Sequence, residues 1–118
     1  MPETLEVRIR REGEIGILET EGYLNDIASE KVAEAGEGLI QEGVKRIVVN
    51  LEKSRIVNSI GVSILIEVIE KVRELNGKVA FCCVAPVLAK TFQIMGLLKV
   101  ASIYDTETEA LEALRGSA

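Results

Sequence analysis

The chain has 118 residues, a formal charge of −5 and 47% apolar side chains, which suits one aliphatic core and a single domain. Its acidic balance argues against a phosphate-backbone binder, which needs clustered Lys and Arg, and 3% aromatic content with no Trp leaves no platform for stacking bases. There is no His, the commonest general base and zinc ligand, and two Cys cannot close a tetrahedral site, so most hydrolase and metal-centre readings fall away.

The opening Met1-Pro2-Glu3-Thr4 has no basic region followed by an apolar run, so no signal peptide is expected. Leu5, Val7 and Ile9 alternate with Glu6, Arg8 and Arg10, the period of a strand with one buried face. Glu12-Gly13-Glu14 supplies a turn, and Ile15 to Tyr23 is predicted as a second strand antiparallel to the first, with Gly22 marking a bulge or a close backbone approach. Asn25 or Asp26 is placed to cap a helix from Ile27 to Glu42, with Ile27, Ala28, Val32, Ala35, Leu39 and Ile40 on its buried face. Gly36 and Gly38 each cost that helix about 1 kcal/mol relative to Ala, and Gly43 is a natural stop.

Val44 to Leu51 is nearly continuous in Ile and Val, as a central strand buried on both faces should be. After the loop 52–57, Asn58 caps a second helix that runs to Leu75. Ile60, Val62, Ile64, Leu65, Ile66, Val68, Ile69, Val72 and Leu75 cover more than one stripe of it, so it should be buried against the sheet and flanked on its sides. Glu67 and Lys71 mark its exposed side as an i,i+4 pair, and Asn76-Gly77 ends it. Glu67, Glu70 and Lys71 also keep its apolar run short of the roughly 20 residues of a membrane span, which points to a soluble, cytosolic protein.

Lys78 to Val84 is predicted as a strand parallel to the preceding one, reached by a right-handed crossover. Within it Cys82 and Cys83 should point to opposite faces, as small reduced core residues that cannot form an ordinary disulfide. Pro86 opens a short helix to Met95 and Gly96 closes it; Leu98 to Tyr104 supplies a last short strand. Thr106-Glu107-Thr108-Glu109 has the capping-box pattern before a final helix through Leu114, and residues 116–118 should fray. The aromatics Tyr23, Phe81, Phe92 and Tyr104 are expected to pack singly. The fold class is therefore α/β, a mixed sheet with an N-terminal antiparallel hairpin, parallel strands and about four helices.

One position stands out for chemistry. With Asn58 as cap, Ser59 occupies the first helical position, where free backbone N–H groups and the helix dipole favour negative charge. A phosphate of about −1.5 to −2 charges would be tolerated there. No base is available to make Ser59 a nucleophile, and the residue types alone favour a simple capping role for Asn58 and Ser59, since both are common at helix starts. Gly61 lets another backbone approach closely, and Ser63, one turn on, reads as a small residue packed against the sheet. No Walker or G-x-G-x-x-G pattern is present, so direct nucleotide binding is not indicated and no cofactor is called for.

The succession Ile47-Val48-Val49-Asn50-Leu51, Val57-Asn58-Ser59-Ile60-Gly61-Val62, Val79 to Pro86 and Phe92-Gln93-Ile94-Met95-Gly96-Leu97 closely resembles a STAS domain of the stand-alone anti-sigma factor antagonist type. The resemblance covers residues 1–118 as one domain. It implies a non-catalytic switch in the regulation of sigma-dependent transcription. Such a domain binds an ATP-binding anti-sigma factor serine kinase when unphosphorylated, releases it when phosphorylated, and is restored by a phosphatase. The resemblance places the phosphorylated serine at Ser59 and the partner-binding surface at Asn25, Asn58, Ser59, Ile60 and Gly61. The chain departs from the family pattern where Asn58 and Asn25 stand in place of acids, and Ile60 in place of a second hydroxyl. An alternative within the same fold is a STAS subunit of a stress-sensing complex or of a lipid or anion transport system.

Overall fold

Residues 6–116 are described by the computed structural model; the expectations placed on residues 1–5, 117 and 118 lie outside them. The elements are β1 (Glu6–Glu12), β2 (Ile15–Glu21), α1 (Asp26–Gln41), β3 (Arg46–Lys53), α2 (Ser59–Glu74), β4 (Lys78–Cys82), α3 (Pro86–Ile94), β5 (Ser102–Tyr104) and α4 (Glu107–Arg115). The strands lie in the sheet in chain order, β1-β2-β3-β4-β5, with the β1–β2 pair antiparallel and every other pair parallel. This is the predicted mixed α/β architecture with β3 at the centre.

The strand order explains the layering. Right-handed crossovers that always step in one direction leave their helices on one face of the sheet. Ile47, Val49 and Leu51 of β3 and Val79 and Phe81 of β4 accordingly face a layer holding Val32 and Leu39 of α1, Leu65, Ile69 and Val72 of α2, and Leu88 and Phe92 of α3. The alternate residues Val48, Ala80 and Cys82, with Ile15 and Ile17 of β2, would be left bare. Helix α4 covers them with Ala110, Leu111 and Leu114. Each large aliphatic side chain buried in these layers contributes about 1.5–3 kcal/mol.

Helix α4 is tied to the far edge of the sheet by Arg10, whose Nη2 donates to Glu107 Oε1 at 2.7 Å, while Asn50 Nδ2 donates to the same oxygen at 2.9 Å. The cap of α4 is half of the expected box: Glu109 N donates to Thr106 Oγ1 at 3.1 Å, but the Glu109 carboxylate reaches the N–H of Asp105 instead of Thr106.

Several expectations are corrected. Strand β2 stops at Glu21, and the register shift lies between Glu19 and Glu21 rather than at Gly22, whose φ of 122° carries the chain out of the strand. The segment before β5 is a single 3-10 turn, Leu97–Lys99, so the last strand is confined to Ser102–Tyr104. Phe81 and Phe92 do not pack singly; their rings meet edge to face with centroids 5.4 Å apart. Lys71 makes its ion pair with Glu37 of α1 rather than with Glu67, because α1 and α2 lie side by side. Strand β4 ends at Cys82, and Cys83 adopts a left-handed backbone that returns its side chain to the α4 face, so the two thiols do not diverge.

Candidate phosphorylation and partner-docking site

Because β2, β3 and β4 run parallel, the N-termini of α1, α2 and α3 emerge at the same edge of the sheet. There the chain segments entering α1 and α2 are tied together. Leu24 N donates to Ile56 O at 2.9 Å, Asn58 N donates to Leu24 O at 3.1 Å, and Leu24 and Val57 form an isolated parallel bridge. The residues that follow this bridge are the two N-caps. Asn25 Oδ1 accepts from Ala28 N at 2.8 Å, and Asn58 Oδ1 accepts from Gly61 N at 2.7 Å.

Gly61 makes this junction possible. A Cβ at that position would stand 2.5 Å from Leu24 O and 2.8 Å from Ser29 Oγ, so any side chain would prise α2 away from the entry to α1. The close approach anticipated at Gly61 is thus to the backbone of Leu24.

Ser59 follows the cap as the first residue of α2 and is exposed. Among the described residues its hydroxyl has no hydrogen-bond partner, whereas its carbonyl accepts from Ser63 Oγ at 3.1 Å. Ser63 is exposed and does not pack against the sheet. The first turn of α2 carries no acidic residue, so the positive end of its dipole is not neutralised by a carboxylate within the helix.

The surroundings of Ser59 are apolar to a degree the periodicity did not indicate. Ile27 and Ile60, both assigned to buried helix faces, are 71% and 57% exposed, and Ile56 in the connecting loop is 62% exposed. Each lies in a first helical turn or an entry segment, beyond the last residues of β2 and β3 in the chain. Tyr23 and Val87 add exposed apolar surface at the same edge. Ile56 was visible in the sequence as an aliphatic residue inside a polar loop, the one signal that could have pointed to this rim.

The five residues assigned to partner binding are therefore brought to one place: Asn25 and Asn58 as adjoining caps, Ser59 and Ile60 outward, and Gly61 inward as the contact to Leu24. The Asn residues that replace acids make the same type of capping bond an Asp would make, without its charge. Among the described residues no group of three or more His, Cys, Asp or Glu side chains converges to hold a metal ion, and no helix is long and apolar enough to cross a membrane.

The family profile described as STAS domain matches residues 6–110. An anti-sigma F factor antagonist from Paenibacillus polymyxa is 24% identical over 111 residues, covering 93% of this chain and 95% of that protein. Among solved structures, an anti-sigma factor antagonist from Mycobacterium paratuberculosis superposes with a TM-score of 0.85 at 19% identity, covering 98% of this chain and 97% of that one. The anti-sigma factor antagonist SpoIIAA in its unphosphorylated form gives a TM-score of 0.74 at 22% identity, covering 94% of this chain and 99% of that one. Its phosphorylated form, from Bacillus, gives 0.72 at 22%, covering 93% and 100%. At these identities the solved structures share the fold.

Proposed function

The chain belongs to the STAS domain family, and from that premise we propose that it is an anti-sigma factor antagonist, a non-catalytic switch set by phosphorylation of Ser59. In the unphosphorylated state the edge formed by Asn25, Asn58, Ser59, Ile60 and Gly61 docks onto an anti-sigma factor that is also an ATP-binding serine kinase. That partner then frees its sigma factor. Phosphate on Ser59 ends the contact, and a phosphatase restores it.

The observation that carries this reading is the exposed, uncommitted hydroxyl of Ser59 at a helix N-terminus inside an apolar rim. The α2 dipole accommodates a phosphate in the free protein. In a complex the same dianion must be desolvated against Ile27, Ile56 and Ile60, and burying an uncompensated charge costs several kcal/mol, ample for a switch. The names of the relatives support the assignment, as do solved structures of SpoIIAA in both phosphorylation states.

Incubation with the partner kinase and ATP, followed by peptide mass spectrometry, should place one phosphate on Ser59. Phosphate elsewhere, or none, would overturn the mechanism. A Ser59→Asp variant that binds the kinase as tightly as wild type would count against charge as the means of release.

A further inference from the structure

The end of β4 carries a second chemical arrangement, separate from the Ser59 surface. Alternation along β4 sends Val79 and Phe81 to the α1–α3 layer and Ala80 and Cys82 to α4. Extended backbone would return the next side chain to the first layer. Cys83 instead has φ +60°, a conformation that residues with a side chain avoid unless their surroundings impose it. Its N–H is held by the carbonyl of Tyr104 at 3.2 Å, and its side chain packs on the same α4-side cluster as Cys82. Both thiols are free, and both lie on that one cluster. Cys82 is wholly buried, while Cys83 is partly exposed.

We propose that Cys82 and Cys83 form a dithiol site for trivalent arsenicals. Two adjacent thiols on one face are a poor site for zinc, which requires further protein ligands that do not converge here among the described residues. An organoarsenical with one carbon substituent needs two sulfurs, and soft thiolate ligands suit such a centre. The partly exposed Cys83 attacks the arsenic of an R–As=O species first, and Cys82 then closes the chelate from within the same chain. Two As–S bonds form, the bond to oxygen breaks, and both thiol protons leave with that oxygen as one water. Arsenic stays trivalent and no electrons are transferred. Because the second bond forms intramolecularly, the chelate resists a competing monothiol and yields to a small dithiol.

The test uses the reduced full-length protein, phenylarsine oxide as probe and intact-mass spectrometry, with circular dichroism as the check on folding. One phenylarsenic group per chain is expected, with loss of both titratable thiols, persistence in excess glutathione and removal by 2,3-dimercaptopropanol. Cys83→Ser should lower the glutathione-resistant fraction by about tenfold or more. An unmodified wild type, an adduct formed only in urea, or one that glutathione strips as readily as from Cys83→Ser would each overturn the proposal. The wild-type competition between the two thiol reagents decides the matter even if a variant fails to fold.

Discussion

The backbone N–H of Asn58 donates to the Leu24 carbonyl at 3.1 Å, and that same carbonyl lies 2.5 Å from where a side chain on Gly61 would begin. The cap of one helix, the entry to its neighbour and the only residue type that fits between them are thus one unit. Gly61→Ala should lose about 1–3 kcal/mol, the usual cost of overpacking against a backbone that cannot yield. Urea denaturation measures this, and phosphorylation of Ser59 should fall with it. A wild-type midpoint for Gly61→Ala would show that the approach is looser than these contacts.

Asn58 separates capping from charge. Asn58→Ala removes the bond to Gly61 N and should cost about 1 kcal/mol. Asn58→Asp keeps the acceptor and adds a carboxylate at the positive end of α2, which should match or exceed wild-type stability by about 0.3–1 kcal/mol at low salt. The comparison is made by denaturation at pH 7 with and without added salt. If Asp destabilised as much as Ala, the capping bond would not be what Asn58 contributes.

Ile60 tests the apolar rim directly. It is more than half exposed, so Ile60→Ala should leave the unfolding midpoint nearly unchanged while weakening binding to the partner kinase by about tenfold, in the range of a central interface residue. Titration calorimetry with the kinase reads the binding. Unchanged affinity would move the docking surface away from this turn.

Glu107 gives the pH dependence. Burial alone would raise its carboxyl, but hydrogen bonds from Asn50 and Arg10 and the guanidinium charge hold it below its ordinary value of 4.5. A carboxyl lowered in the folded state contributes stability above its unfolded pKa, and that contribution is lost as pH falls from 4.5 through the lowered folded value. Glu107→Gln should therefore be less stable than wild type at pH 7, with the difference shrinking across that acid window. Urea midpoints stepped downward from pH 6 test it. Parallel acid limbs in the two proteins would sink the assignment.

What could be read from the sequence was whatever depends on periodicity and on end signals. The Val44 to Leu51 run, the Asn58 cap, Pro86 and the Thr106 cap each carry a local physical reason, and each element formed within a residue or two of its expected place. What could not be read depends on where an element stops relative to the sheet. Ile27 and Ile60 fit their helical stripes, but the stripe continues past the last strand residue that could cover it. Cys83 fits a strand pattern, but the pairing with β5 reaches only Tyr104, and the chain turns there. The salt bridge from Lys71 went to α1 because the partner, Glu37, is distant in sequence and near in space.

The sheet whose strands follow one another in chain order has a consequence for biosynthesis. Every strand pairs with the strand made just before it, so none has to be inserted between two that are already joined. A nascent chain leaving the ribosome N-terminus first can add each strand to a finished edge, the crossover helix closing over it as it emerges. The exception is α4. It is made last, reaches back across the sheet to Arg10 of the first strand, and shields the face that every earlier intermediate leaves open to solvent. A chain stalled before Thr106 therefore carries an uncovered apolar sheet face, the kind of surface through which folding intermediates aggregate.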